Sequence, residues 1–302
     1  FPGLFGGYFD KAGDAHVYTI TPQSAEADAF IRNLGKDTKP VYLSEYGIGS
    51  NPNVIQICKT FEQLGFDENL VDYALYRSMM ERYLNDWGRW KMNAYAFPED
   101  MFVGSDHLHA RQRLKGFNLI RSNPKICGYN LTGMLDHAIT GEGIWTFFRE
   151  WKKDIVDALS DGWASLRWCI FISPMYGYAR EPFRIEVVLA NEDILHPADY
   201  PVSLAISGPE GIAWTKNTTI HLPATGDGGE PPLAVPVLDE EVVIDGETGV
   251  YELAVVMDRG GAPAGGRQIF RLFNRSDYRV VQNAVSTLGL DERILDWLVE
   301  RG

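Results

Sequence analysis

The feature that most limits the fold is a change of rhythm near Trp168. Before it, short apolar runs alternate with helical patterns. Residues 14–20 form a β-like run. Residues 24–34 carry Ala25, Ala29, Phe30 and Leu34 at helical spacing, and residues 39–47 make a second strand ended by glycine. The stretch 68–90 predicts a long helix with Leu70, Tyr73, Ala74, Met80, Tyr83 and Leu84 as its buried stripe. Ser105 is expected to cap a helix running to about Arg121, and residues 124–132 read as a third strand. Connections this long between strands favour parallel neighbours, because a tight turn can join only antiparallel ones. From Trp168 onward, runs at 167–172, 183–189, 202–206 and 251–256 are separated by Gly/Pro-rich clusters at 224–232 and 259–266. Short strands with that punctuation predict an antiparallel sandwich. The chain is thus read as α/β plus all-β, with its boundary between Pro174 and Pro182: 1–175, 176–275, and 276–302 as a linker and the start of a further domain.

Size and charge narrow the function. A length of 302 residues suggests about two domains. Twenty-eight basic against 41 acidic residues give a net charge of -13, which argues against nucleic acid or an anionic membrane surface as partner. No apolar run approaches the roughly 18 residues of a membrane span. Cys58, Cys127 and Cys169 are odd in number and far apart, so neither a disulfide framework nor a zinc site is indicated. His107 and His109 lie two apart at a helix start and point in different directions, so no metal and no cofactor is expected. The opening Phe1-Pro2-Gly3-Leu4 and the helical stripe of Leu290, Ile294, Leu295 and Leu298 running to Gly302 suggest an internal piece of a larger protein.

Chemistry concentrates where strands end. Glu45 follows the apolar Val41-Tyr42-Leu43, so it either reaches the rim of the sheet or is buried at a cost. In parallel β/α barrels, catalytic side chains stand at the C-terminal ends of strands. Asp14 and His16 lie on the preceding strand. Asp136, His137, Glu142 and Trp145 follow the third strand. If the three strands are neighbours, these groups meet at one rim.

Residues 39–47, ending in Ser44-Glu45-Tyr46-Gly47, resemble the seventh barrel strand of glycoside hydrolase family 2 and related retaining glycosidases. His16-Val17-Tyr18 is similar to the His-X-Tyr of the sixth strand, and residues 126–132 to the eighth. The resemblance extends over about residues 1–275. It implies the C-terminal part of a (β/α)8 TIM barrel followed by an immunoglobulin-like β-sandwich. It also implies a carbohydrate substrate, Glu45 as nucleophile, and an acid/base glutamate on a fourth strand upstream of Phe1. His16, Tyr18, Tyr46, Asp136 and Trp145 are the expected substrate-binding residues. Other chain segments, or a second copy in a homo-oligomer, would complete the barrel. The alternatives are a non-catalytic carbohydrate-binding or scaffold relative, and an unrelated β/α hydrolase.

Overall fold

The computed structural model describes residues 4–5, 8–9, 13–20, 23–36, 39–90, 94–223, 232–278 and 286–301. The opening Phe1–Gly3 segment, most of the 224–232 cluster and Gly302 lie outside the described residues. Its first part comprises β1 (Leu4–Phe5), β2 (Tyr8–Phe9), β3 (Asp14–Thr19), α1 (Ala25–Asn33), β4 (Val41–Gly47), α2 (Val54–Gln63), α3 (Val71–Trp90), α4 (Pro98–Arg121), β5 (Ile126–Leu131) and α5 (Ile155–Gly162). The second part holds β6 (Leu166–Ser173), β7 (Tyr176–Tyr178), β8 (Pro182–Asn191), β9 (Ala198–Gly208), β10 (Gly211–Leu222), β11 (Ala234–Val243), β12 (Gly249–Met257) and β13 (Arg267–Phe273). A last helix, α6, spans Glu292–Arg301.

Strands β3, β4 and β5 lie side by side and parallel, in that order. The short β1 and β2 pair antiparallel with β3. One face of this sheet is packed. Ala15 and Val17 of β3, Val41, Leu43 and Tyr46 of β4, and Ile126 of β5 meet Ile31 of α1 and Leu119 and Ile120 of α4 in one apolar cluster. Local chemistry fixes where these helices begin. The Ser24 hydroxyl caps α1 by accepting from the Ala27 N–H (3.3 Å), with Glu26 and Asp28 in its first turn. Asn53 caps α2, a helix the sequence reading passed over, by accepting from the Gln56 N–H (3.0 Å). Helix α4 begins at Pro98, upstream of Ser105, with Asp100 accepting from the Phe97 N–H (3.0 Å). The Ser105 hydroxyl instead accepts from the Asn51 N–H (2.9 Å), tying α4 to the loop after β4.

In the second part, β10-β9-β12-β13-β7 form one sheet and β11-β8-β6 another. Their inward residues, among them Trp168, Phe183, Val187, Leu204, Leu253 and Phe270, share one core. The antiparallel pairing begins at Leu166, beside the change of rhythm at Trp168, because β6 pairs along its whole length with β8. Polar contacts join the two parts. Arg32 of α1 makes a two-pronged ion pair with Glu186 of β8 (Nη1–Oε2 2.8 Å), and its guanidinium lies 4.4 Å from the Phe171 ring centroid. Arg167 of β6 donates to the Asn118 side chain of α4 (2.6 Å), which donates to the Ile170 carbonyl (3.3 Å).

Candidate functional site

Strand β4 carries one residue more than its neighbours allow. Ala15 pairs with Leu43 but His16 pairs with Glu45. On the other side Leu43 pairs with Tyr129 and Tyr46 with Leu131. The extra residue breaks the strict alternation of the pleat: Leu43 and Tyr46 both enter the core, while Ser44 and Glu45 are both part-exposed. A bulge of this kind re-aims a side chain that the period of two would have buried. It sets Ser44 and Glu45 beside Asp14, His16 and Tyr18, the residues of β3 that alternate with the buried Ala15 and Val17.

These five side chains form one connected cluster. The Tyr18 hydroxyl donates to Glu45 Oε2. His16 lies between two carboxylates, with Nδ1 3.5 Å from Glu45 Oε2 and Nε2 3.6 Å from Asp14 Oδ2. The Ser44 hydroxyl donates to Asp14 Oδ1 (2.6 Å). That bond, which favours the ionised form, holds the Asp14 carboxyl below its ordinary range. Burial raises the Tyr18 phenol above its usual value, and its bond to the Glu45 carboxylate adds to this. Tyr18 therefore stays a donor at any physiological pH. Two close approaches seat the aromatic rings: a Cβ at Gly47 would lie 2.3 Å from the Tyr18 ring, and one at Gly128 would lie 2.8 Å from Tyr42. Tyr42 is 41% exposed on this same face.

The remaining expected residues have other places. Tyr46, in direct succession to Glu45, is 1% exposed and turned the opposite way, against Gly116 of α4. It supports the strand from below and offers no surface to a ligand. Asp136 is also buried. It pairs with Lys152 Nζ (2.7 Å) and accepts from the Gly143 N–H (2.9 Å). Burial dominates both partners, raising the Asp136 carboxyl and lowering the Lys152 ammonium. Asp136 is thus a staple inside the loop after β5, not a group facing solvent. Trp145 is half-buried in the same loop, its ring centroid 5.0 Å from that of the exposed Trp151. His107 contacts Asp154 (2.5 Å), while His109 is buried beside Arg113 and kept neutral, pushed down to about 2 by burial and the neighbouring cation. Among the described residues, no group of three or more His, Cys, Asp or Glu side chains is placed to hold a metal ion.

Two residues to which the sequence motif assigns no role organise the rim. Ser44 is one. Arg113 of α4, fully buried, is the other: it donates to the carbonyls of Tyr46 (3.3 Å), Thr132 (3.2 Å) and Glu142 (3.0 Å). The sequence does carry a signal for it. Phe102, His109, Arg113, Phe117 and Ile120 share one helical face, and a cation in an apolar stripe must find acceptors inside the protein.

No protein-family model matches the chain, and no curated protein matches it. Among solved structures, it is similar to the Pseudomonas fluorescens alkylpurine DNA glycosylase AlkC bound to DNA containing an abasic site analog. The two are 17% identical with a TM-score of 0.26, over 38% of this chain and 32% of that one, so the chain spans about a third of the glycosylase's length. It is also similar to the CARDB domain of the PF1109 protein from Pyrococcus furiosus in complex with di-metal ions. There the identity is 14% and the TM-score 0.26, over 36% of this chain and 86% of the domain.

Proposed function

We propose that this chain contributes the nucleophile-bearing part of a retaining glycoside hydrolase, with Glu45 as the nucleophile. The observation that carries the reading is the bulge in β4. It brings the Glu45 carboxylate out of the core at the C-terminal end of the central parallel strand, where Tyr18 and His16 orient it. In the proposed reaction, Glu45 attacks the anomeric carbon while a second carboxylate about 5 Å away protonates the departing oxygen. Water then cleaves the glycosyl ester, with the second group acting as base. On this reading β3, β4 and β5 are the last three strands of a (β/α)8 barrel, the paired sheets are an immunoglobulin-like domain, and the acid/base glutamate comes from another segment. The Tyr18 phenol fixes which Glu45 oxygen is held and which is free to attack.

The test uses the full-length protein and 2-deoxy-2-fluoroglycosyl fluorides, whose fluorine slows the second step so that the ester accumulates. Mass spectrometry of the digest is expected to find the label on Glu45. Glu45→Gln should lower turnover of aryl glycosides by about 10⁴-fold or more while leaving the fold intact. A variant with near-normal turnover overturns the reading. Sugar binding that persists in the natural protein without turnover or label favours the non-catalytic alternative.

A further inference from the structure

The loop after β5 is held around a single residue. The Gly141 carbonyl accepts from Lys152 Nζ (2.8 Å) and from the Ser50 N–H (2.8 Å). The next carbonyl, of Glu142, accepts from Arg113 Nη2 (3.0 Å), and the Gly143 N–H donates to Asp136 Oδ1 (2.9 Å). Three charged side chains, each no more than 4% exposed, thus hold the backbone of three consecutive residues through two peptide groups. Burying such groups is costly unless their geometry is satisfied, so the fold commits heavily to the position of this one turn. Glycines make the approach possible. A Cβ at Gly141 would lie 1.7 Å from the Ser50 carbonyl oxygen, one at Gly143 2.3 Å from the Asp136 nitrogen, and one at Gly133 2.6 Å from the Glu142 Cβ.

Only Glu142 carries a side chain at the centre of this clamp. It is half-buried, and it stands over Gly133, next to Thr132, whose N–H donates to the Tyr46 carbonyl (2.9 Å). That places Glu142 at the rim where β4 delivers Glu45. Its charge acts on Tyr18, the donor to Glu45. A carboxylate has acceptor oxygens only, and a polyhydroxylated ring presents several donors. Fixed backbone on both sides is what a recognition group needs, because a hydrogen bond to a wandering acceptor discriminates little.

We propose that Glu142 is a specificity-determining residue whose carboxylate accepts hydrogen bonds from ring hydroxyls of the sugar held over Glu45. The inference rests on the glycosidase reading, and its test separates the two. In the full-length protein, a panel of 4-nitrophenyl glycosides identifies the sugar turned over. Its monodeoxy analogues are then compared in the natural protein and in Glu142→Gln. The natural protein should discriminate against one or two analogues, each lacking a contacted hydroxyl. Glu142→Gln should lower kcat/KM for the parent sugar roughly 10- to 100-fold, the range for a hydrogen bond to a charged group. It should also collapse the penalty for those same analogues toward unity, with the melting temperature unchanged. A merely structural Glu142 would leave the pattern of deoxy penalties intact. If Glu45 takes the fluorosugar label but Glu142→Gln keeps every deoxy penalty, the inference on Glu142 is overturned and the Glu45 reading stands. If no glycoside is turned over and Glu45 takes no label, both are overturned.

Discussion

Tyr18 donates to the Glu45 carboxylate from a neighbouring parallel strand, and the two residues are not register partners: His16 is the one opposite Glu45, while Tyr18 lies opposite Gly47. The bond reaches diagonally because Gly47 leaves the space in which the Tyr18 ring lies. Removing the hydroxyl while keeping the ring therefore isolates the bond. Tyr18→Phe is expected to lower kcat about 10- to 100-fold in the full-length protein, with little change in melting temperature, because a charge-assisted donor to the proposed nucleophile is lost. Steady-state kinetics on an aryl glycoside check this. An unchanged kcat would remove Tyr18 from the reaction.

Two helical glycines should respond to the same substitution with opposite sign. Gly88 of α3 is exposed, and a Cβ there would meet nothing within 4 Å. Gly88→Ala should stabilise by about 0.5–1 kcal/mol, the ordinary gain of Ala over Gly in a helix. Gly116 of α4 is buried, and its Cβ would sit 2.1 Å from the Tyr46 hydroxyl. Gly116→Ala should instead destabilise by about 1–3 kcal/mol, since overpacking against a fixed strand exceeds the helical gain. Urea unfolding of both variants decides it; a stabilising Gly116→Ala would mean that Tyr46 is not seated against α4.

What could be read in the sequence was whatever has a local period. The β-like run at 14–20, the helical spacing over 24–34, and Tyr73, Met80 and Tyr83 of α3 each repeat a pattern within a few residues, although Leu84 of the expected stripe is exposed. The bulge in β4 has no such signature. Strict alternation along 41–47 would place Glu45 on the buried face with Leu43, and only pairing with both β3 and β5 shows that it turns outward. Tyr46 is the converse case. As an aromatic beside a carboxylate at a strand end it reads as a ligand contact, yet the same bulge returns it to the core. Asp136 was legible as a carboxylate near the rim. Its partner Lys152, sixteen positions on, is set by the loop's path and not by any spacing rule.

The Asp136–Lys152 pair should behave as a coupled unit. Each is nearly inaccessible, and desolvation outweighs mutual attraction in the titration of both. Lys152→Met leaves a buried carboxylate without its cation, and Asp136→Leu leaves a buried ammonium without its anion. Either change should cost about 3–5 kcal/mol. The double variant should fall short of the sum by about 1–3 kcal/mol, because it removes both members of the pair together and leaves only the weaker attraction of Asp106 for Lys152 unreplaced. It should still be less stable than the natural protein, since Lys152 also holds the Ser50 hydroxyl (2.8 Å) and the Gly141 carbonyl. A double-mutant cycle in urea measures the coupling, and additivity within about 0.5 kcal/mol would contradict it.

Stability should fall on the alkaline side through buried tyrosines. Tyr46 and Tyr76 are 1% and 0% exposed, and burial pushes each phenol from 10 up to about 12. Arg113 partly opposes the rise at Tyr46, and Asp136 adds to it at Tyr76. Between pH 10 and 12 the unfolded chain releases protons that the native protein keeps, so the unfolded state binds fewer protons and stability declines as pH rises. The contribution is fully present below pH 10 and is lost as pH climbs toward 12, with a slope of up to about 1.4 kcal/mol per pH unit for each group. Urea midpoints measured from pH 8 to pH 11 should be flat with respect to these groups at first and then drop. Tyr46→Phe should shallow the drop by the share of one group without creating a cavity, since only the hydroxyl is removed. A variant that follows the natural protein through the whole range would show that the Tyr46 hydroxyl is reached by solvent, which would also undo its placement beneath Glu45 against α4.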